Sequence, residues 1–214
     1  MKEFKKKLCV STMWLAAFAL WTAAVSWVDV QAIGPQGSLV GFAGFNLFIH
    51  RLTGVHFFLY TVTDWLGLIP IGVCAGFGLL GLTQWIKRRS LRRVDRSILA
   101  LGGFYFAVMA VYALFEVLVI NHRPELIDGV LEASYPSSTT VLTLCVMPTA
   151  WMQLKARLHS SRLKRNAALL IFSFTALMVI GRLFSGVHWV TDIIGGMLLS
   201  AGLVTAYAAL SGIE

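Results

Sequence analysis

Five long apolar runs and one weaker run set the rhythm of this chain. Leu8–Val30, Trp65–Ile86, Ile98–Ile120, Asn166–Phe184 and Val190–Ser211 are predominantly apolar over the length that carries a helix across a hydrocarbon core of ~30 Å. Thr139–Leu154 is shorter and more polar; it reads as a further span because it lies between a polar loop and a strongly basic one. A segment in lipid can satisfy its own backbone hydrogen bonds only as a helix. The pattern predicts an all-α integral membrane bundle of six transmembrane helices, organised as one domain over residues 1–214. The first run ends at Asp29–Gln31 without a small-residue cleavage site, so it reads as a first helix and not a removed signal peptide.

The period changes between the first two spans. Ile33–Gly44 is Gly-rich and reads as a loop. In Asn46–Thr63, the apolar residues Leu47, Phe48, Leu52, Val55, Phe58, Leu59 and Val62 recur near helical spacing, interleaved with Asn46, His50, Arg51 and His56. This predicts an amphipathic helix before the second span, either lying in the membrane interface or capping the bundle.

Composition agrees with the pattern. Only 13% of residues are charged, against roughly 25% in soluble domains. The placement of charge then sets a topology. Lys2–Lys7, Lys87–Arg96 and Lys155–Arg165 hold 15 of the 18 Lys and Arg residues, and six spans put these segments on one side. The positive-inside rule makes that side cytoplasmic, with both termini, in a multi-pass protein of the plasma membrane. The net charge of +8 is thereby a topology signal; it points to the lipid bilayer as partner and not to nucleic acid. Arg51, Arg123, Arg182, Asp64, Glu125, Asp128, Glu132, His50, His56, His122 and His188 fall toward the opposite, outer side. Charge at membrane depth is costly and usually functional, so chemistry is expected at the outer face. Cys9, Cys74 and Cys145 lie in or beside spans as small apolar residues, and no metal-ligand spacing or cofactor motif is found.

Three outer segments stand out. Asn121-His122-Arg123-Pro124 follows the third span, Ser134-Tyr135-Pro136-Ser137-Ser138-Thr139-Thr140 enters the fourth, and Arg182-x5-His188-x3-Asp192 joins the fifth and sixth. His188 and Asp192 are four apart and share one face at a helix start. A carboxylate there either steadies a loop or fixes an imidazole tautomer, leaving the other nitrogen free as nucleophile or base. Arg182 and Arg123 offer planar forks that match phosphate oxygens, although an interface Arg can also simply snorkel. Ser137 and Ser138 open a helix whose free N–H groups suit an anion, or merely cap it.

In order, spacing and topology these segments resemble the type 2 phosphatidic-acid phosphatase family of membrane lipid phosphatases. Its motifs are Lys-x6-Arg-Pro, Pro-Ser-Gly-His and Ser-Arg-x5-His-x3-Asp. Arg123-Pro124 and the Arg182, His188, Asp192 core are intact, while Gly181 replaces the Ser, Glu116 stands at the Lys and Thr139 at the His. The resemblance implies a metal-independent hydrolase without cofactor, acting on a lipid phosphate or polyprenyl diphosphate. In that reading His188 forms a phosphohistidine, Asp192 orients it, and Arg123, Arg182, Ser137 and Ser138 hold the phosphoryl group. With Thr139 in place of the acid, His122 or an acidic residue such as Glu116 is the alternative proton donor, and diphosphates are expected to be preferred over monoesters. The second reading from Glu116 and Thr139 is a degenerate member that binds lipid phosphates or supports a partner without hydrolysis.

Overall fold

A computed structural model of the chain describes residues 2–213; residues 1 and 214, the two ends of the predicted domain, lie outside the described residues. The described elements are helical: α1 (Lys2–Trp27), α2 (Ala43–Thr53), α3 (Phe57–Leu66), α4 (Leu68–Arg88), α5 (Arg96–Val117), α6 (Ser138–Arg157), α7 (Ser161–Phe184) and α8 (Val190–Leu210). α1, the nearly continuous rod α3–α4, α5, α7 and α8 are long and apolar enough to cross a membrane. Large apolar side chains on them point outward, Leu20, Phe106, Val117 and Leu170 among them. Such a continuous exposed apolar surface is the signature of a membrane-facing protein.

α6, expected as the sixth span, is not among the five described helices long and apolar enough to cross a membrane, and its weak hydropathy has a structural cause. It packs against α4, α5, α7 and α8 and buries Thr140, Thr143, Thr149 and Gln153 along with Val141, Cys145 and Val146. A helix that meets protein on most sides has little lipid to face, and its polar groups can bond across helices instead. Gln153 Nε2 donates to the Ser97 carbonyl at 3.1 Å and also bonds the Tyr207 hydroxyl.

The amphipathic segment is broken where a single helix was expected. Gly54 adopts φ +67°, and the His56 amide leaves helical bonding to donate to the Ser185 carbonyl at 2.9 Å. α2 ends there, and the second half, α3, runs into the second span. α2 keeps the amphipathic character: Phe45, Phe48 and Leu52 are exposed, while Asn46 is buried.

The bundle has two chemically distinct ends. At one, Lys7 Nζ reaches the Ala208 carbonyl at 3.5 Å, and the Asp95 carboxylate pairs with Arg88 at 2.9 Å and Arg157 at 3.4 Å. The three basic segments therefore gather at this end. The opposite end collects α2, α3, the 118–137 connection and the turn between α7 and α8.

Candidate active site

The turn between α7 and α8 is held open by glycine. Gly186 has φ +71°, and a Cβ there would lie 2.1 Å from the Gly54 carbonyl oxygen. Only a residue without a side chain lets the turn press against the α2–α3 break. His50 Nε2 bonds the Gly186 carbonyl at 3.0 Å, and Trp189 Nε1 donates to the His122 carbonyl at 2.8 Å. His188 is thus presented by a turn clamped from two sides.

His188 does not share a helical face with Asp192 as the spacing suggested, because α8 begins only at Val190. Its Nδ1 lies 3.8 Å from Asp192 Oδ2, beyond hydrogen-bond length. The buried Asp192 carboxylate accepts instead from Ser134 Oγ at 2.7 Å, Asn121 Nδ2 at 3.1 Å and the Trp189 amide at 3.0 Å. Asp192 fixes the backbone beside His188 and faces the imidazole as a nearby charge. Asn121 and Ser134 were not singled out by the sequence reading. Their signal was their place: Asn121 opens the outer segment that follows the third apolar run, and Ser134 the one that enters the fourth.

The other ring nitrogen, Nε2, meets Arg123 Nη1 at 3.1 Å. A guanidinium can only donate, so Nε2 is the unprotonated, acceptor nitrogen. Burial first, then the charges of Arg123 and Arg182, push His188 well below the ordinary imidazole value, with the Ser134 carbonyl acting the other way. The ring is neutral at neutral pH, with a lone pair aimed at a cation.

Each guanidinium also has a carboxylate. Arg123 Nε lies 2.9 Å from Glu132 Oε2. Arg182, only 1% exposed, has Nη1 3.8 Å from Asp64 Oδ1 and 3.4 Å from Thr63 Oγ1, and its Cζ sits 5.0 Å over the Tyr60 ring. The Ser137 amide donates to the Asp192 carbonyl at 3.2 Å, so it is not free for an anion, contrary to the simplest reading of the Pro-Ser-Ser-Thr segment. The helix N-terminus that remains open is that of Ser138 and Thr139.

A groove of ≈ 380 Å³ leads to this cluster. His188, Ser138, Thr139 and Glu116 line its polar end, and Ile71, Met109 and Leu142 its apolar course between α4, α5 and α6. Arg123 and Arg182 do not line the groove; Arg123 adjoins it through its contact with His188 Nε2. His122 does not line the groove either; its place is set through its carbonyl. The two altered motif positions, Glu116 and Thr139, therefore share one space with His188; of the two alternative acids Glu116 lines the groove and His122 does not.

Arg123, Ser137, His188 and Asp192 are joined by direct contacts, and Arg182 acts on His188 through charge. The arrangement can bind a tetrahedral anion beside a buried neutral imidazole, with an apolar channel leading away from it.

Residues 103–212, just over half of the chain, match the PAP2 superfamily. The fold is similar to the crystal structure of the first transmembrane PAP2 type phosphatidylglycerolphosphate phosphatase from Bacillus subtilis, with a TM-score of 0.60 and 17% sequence identity over 94% of each chain. At that identity the likeness is one of fold. No curated protein matches in sequence. The matched stretch holds Glu116, Arg123, Ser137, Thr139, Arg182, His188 and Asp192, and on that match over more than half its length the chain belongs to the PAP2 superfamily.

Proposed function

We propose that this protein is a membrane lipid phosphatase that hydrolyses a lipid phosphate or polyprenyl diphosphate through a phosphohistidine on His188. The observation that carries the reading is the pairing of a buried, neutral His188 with Arg123 at 3.1 Å, at the polar end of a groove whose other end is apolar. A lipid tail occupies the apolar course, and its phosphate takes the place opposite Nε2.

The chemistry follows from these positions. The Nε2 lone pair attacks the terminal phosphorus and the bond from that phosphorus to its leaving oxygen breaks; a diphosphate releases a lipid phosphate, and a monoester releases an alkoxide that takes a proton from solvent. Positive charge develops on the ring, and the Asp192 carboxylate stands nearby to balance it. Arg123 and Arg182, with the N–H groups of Ser138 and Thr139, hold the phosphoryl oxygens as charge gathers on them. Water then attacks phosphorus and gives up a proton to solvent, the P–N bond breaks with its electron pair returning to Nε2, and inorganic phosphate leaves with the neutral His188 restored. No step in this sequence calls on a metal, since the guanidinium groups supply the charge.

The site lies at the end opposite the basic segments. With the basic segments in the cytoplasm, hydrolysis takes place at the outer face. The test is phosphate release by purified protein from a panel of lipid phosphates and diphosphates, beside His188→Ala. Release by the wild type and not by the variant is the expected result; equal release by both refutes the nucleophile.

The non-catalytic reading has its own support. Glu116 and Thr139 line the groove where the family pattern has Lys and His, and Glu132 and Asp64 already face the two guanidinium groups. Binding of lipid phosphates without release in the same panel would favour it.

A further inference from the structure

We infer that Thr63, on α3, is a positioning residue for Arg182, and that Gly181 exists to let it reach there. This rests on the reading that Arg182 holds the phosphoryl group. Neither residue lines the groove.

The geometry is specific. Arg182 is buried on α7, and its guanidinium must be aimed by something other than water. α3 supplies that support. Thr63, 1% exposed, turns its hydroxyl hydrogen to the Leu59 and Tyr60 carbonyls at 2.9 Å. Its oxygen keeps a lone pair for Arg182 Nη1 at 3.4 Å. Tyr60 places its ring under the same guanidinium. Asp64 is farther away and its side chain is 60% exposed, so solvent screens it and it aims the group poorly.

Gly181 makes the approach possible. A Cβ at residue 181 would sit 2.7 Å from Thr63 Cγ2 and 3.8 Å from Leu59 Cδ1. The first is shorter than contacting carbons allow, so a side chain there displaces the Thr63 side chain from its place against α7. The family pattern has Ser at this position, and this chain has Gly. The space is filled by the Thr63 methyl, and the hydroxyl beside Arg182 comes from another helix. Through Thr63 the interfacial region becomes part of the anion site.

Packing and hydrogen bonding predict opposite orders for two substitutions. Thr63→Val keeps the shape and loses the hydroxyl. Thr63→Ser keeps the hydroxyl and loses the methyl. The experiment measures orthovanadate binding by titration calorimetry on the purified full-length protein, together with kcat and KM for phosphate release. Thr63→Val should bind orthovanadate about tenfold more weakly, at the low end for a hydrogen bond to a charged group, and raise KM more than it lowers kcat. Thr63→Ser should stay within about threefold of wild type, since only packing is lost.

Gly181→Ala should weaken binding as Thr63→Val does. Adding Thr63→Ser to Gly181→Ala should restore it, because the clashing methyl is gone and the hydroxyl remains. This pair keeps the inference testable if Thr63→Val fails to fold. Wild-type binding in Thr63→Val, a greater loss in Ser than in Val, or no recovery in the double variant overturns the inference. A wild type that neither binds orthovanadate nor releases phosphate overturns the phosphatase reading itself, and this inference with it.

Discussion

His188 shows how burial and charge decide a residue's chemistry. An exposed imidazole titrates near ~6.5; here burial, Arg123 and Arg182 hold the pKa well below that. The neutral nucleophile therefore persists into mild acid, and the acidic limb of kcat/KM should fall below pH ~6.5. The stability sign agrees. The unfolded chain takes up a proton at ~6.5 that the folded chain refuses, so this contribution is full above that pH and is lost as pH falls toward the folded value. A pH–rate profile checks the first point, and an acidic limb above 6.5 contradicts it. Thr139 carries the second residue-scale prediction. A monoester expels an alkoxide whose conjugate acid has a pKa near ~15.7 by comparison with water, and a positioned acid contributes ~10²–10⁴-fold. A diphosphate expels a phosphate whose second pKa is near ~6 by analogy with phosphoserine. Thr139 lines the groove with His188 but cannot donate such a proton. Diphosphates should be cleaved faster than monoesters, and Thr139→His should raise kcat/KM for monoesters much more than for diphosphates. Faster monoester cleavage by the wild type, with no gain from His, points to another acid.

At the scale of elements, the turn between α7 and α8 depends on the α2–α3 break. Gly186→Ala puts a Cβ at positive φ and 2.1 Å from the Gly54 carbonyl. It should lower stability by more than ~1 kcal/mol, the usual scale of a Gly change where the backbone cannot relax. Thermal unfolding of the purified protein should show a lower Tm, with phosphate release falling in parallel; an unchanged Tm contradicts the clamp. The spans were legible in the sequence because lipid imposes length and apolarity on each helix. α6 was nearly lost for the opposite reason: surrounded by protein, it has no need of an apolar exterior. The Asn46–Thr63 break was not legible, since the apolar spacing runs through it unchanged. The break falls at Gly54, at positive φ, and the Gly186 turn, more than a hundred residues away, packs closely against it. The motif residues were legible by type and spacing. Their partners were not: Asn121 and Ser134 on Asp192, Glu132 on Arg123 and Thr63 on Arg182 all come from other segments, and only the folded bundle brings them together.

For the whole molecule, charge asymmetry and site position make one statement about orientation. The basic segments lie at one end of the bundle and His188 at the other. Cysteines introduced in the 155–165 loop should resist impermeant reagents applied to intact cells, while those introduced near Glu125 should react. Labelling of the 155–165 loop from outside would reverse the orientation and place the chemistry in the cytoplasm. The central claim is the covalent intermediate. It is tested most directly by rapid acid-free quenching of purified protein mixed with a lipid phosphate or diphosphate labelled on its terminal phosphorus. The account predicts protein-bound label that is stable to alkali, lost in acid and absent from His188→Ala. Phosphate release without bound label in the wild type, or label that persists in His188→Ala, would contradict it.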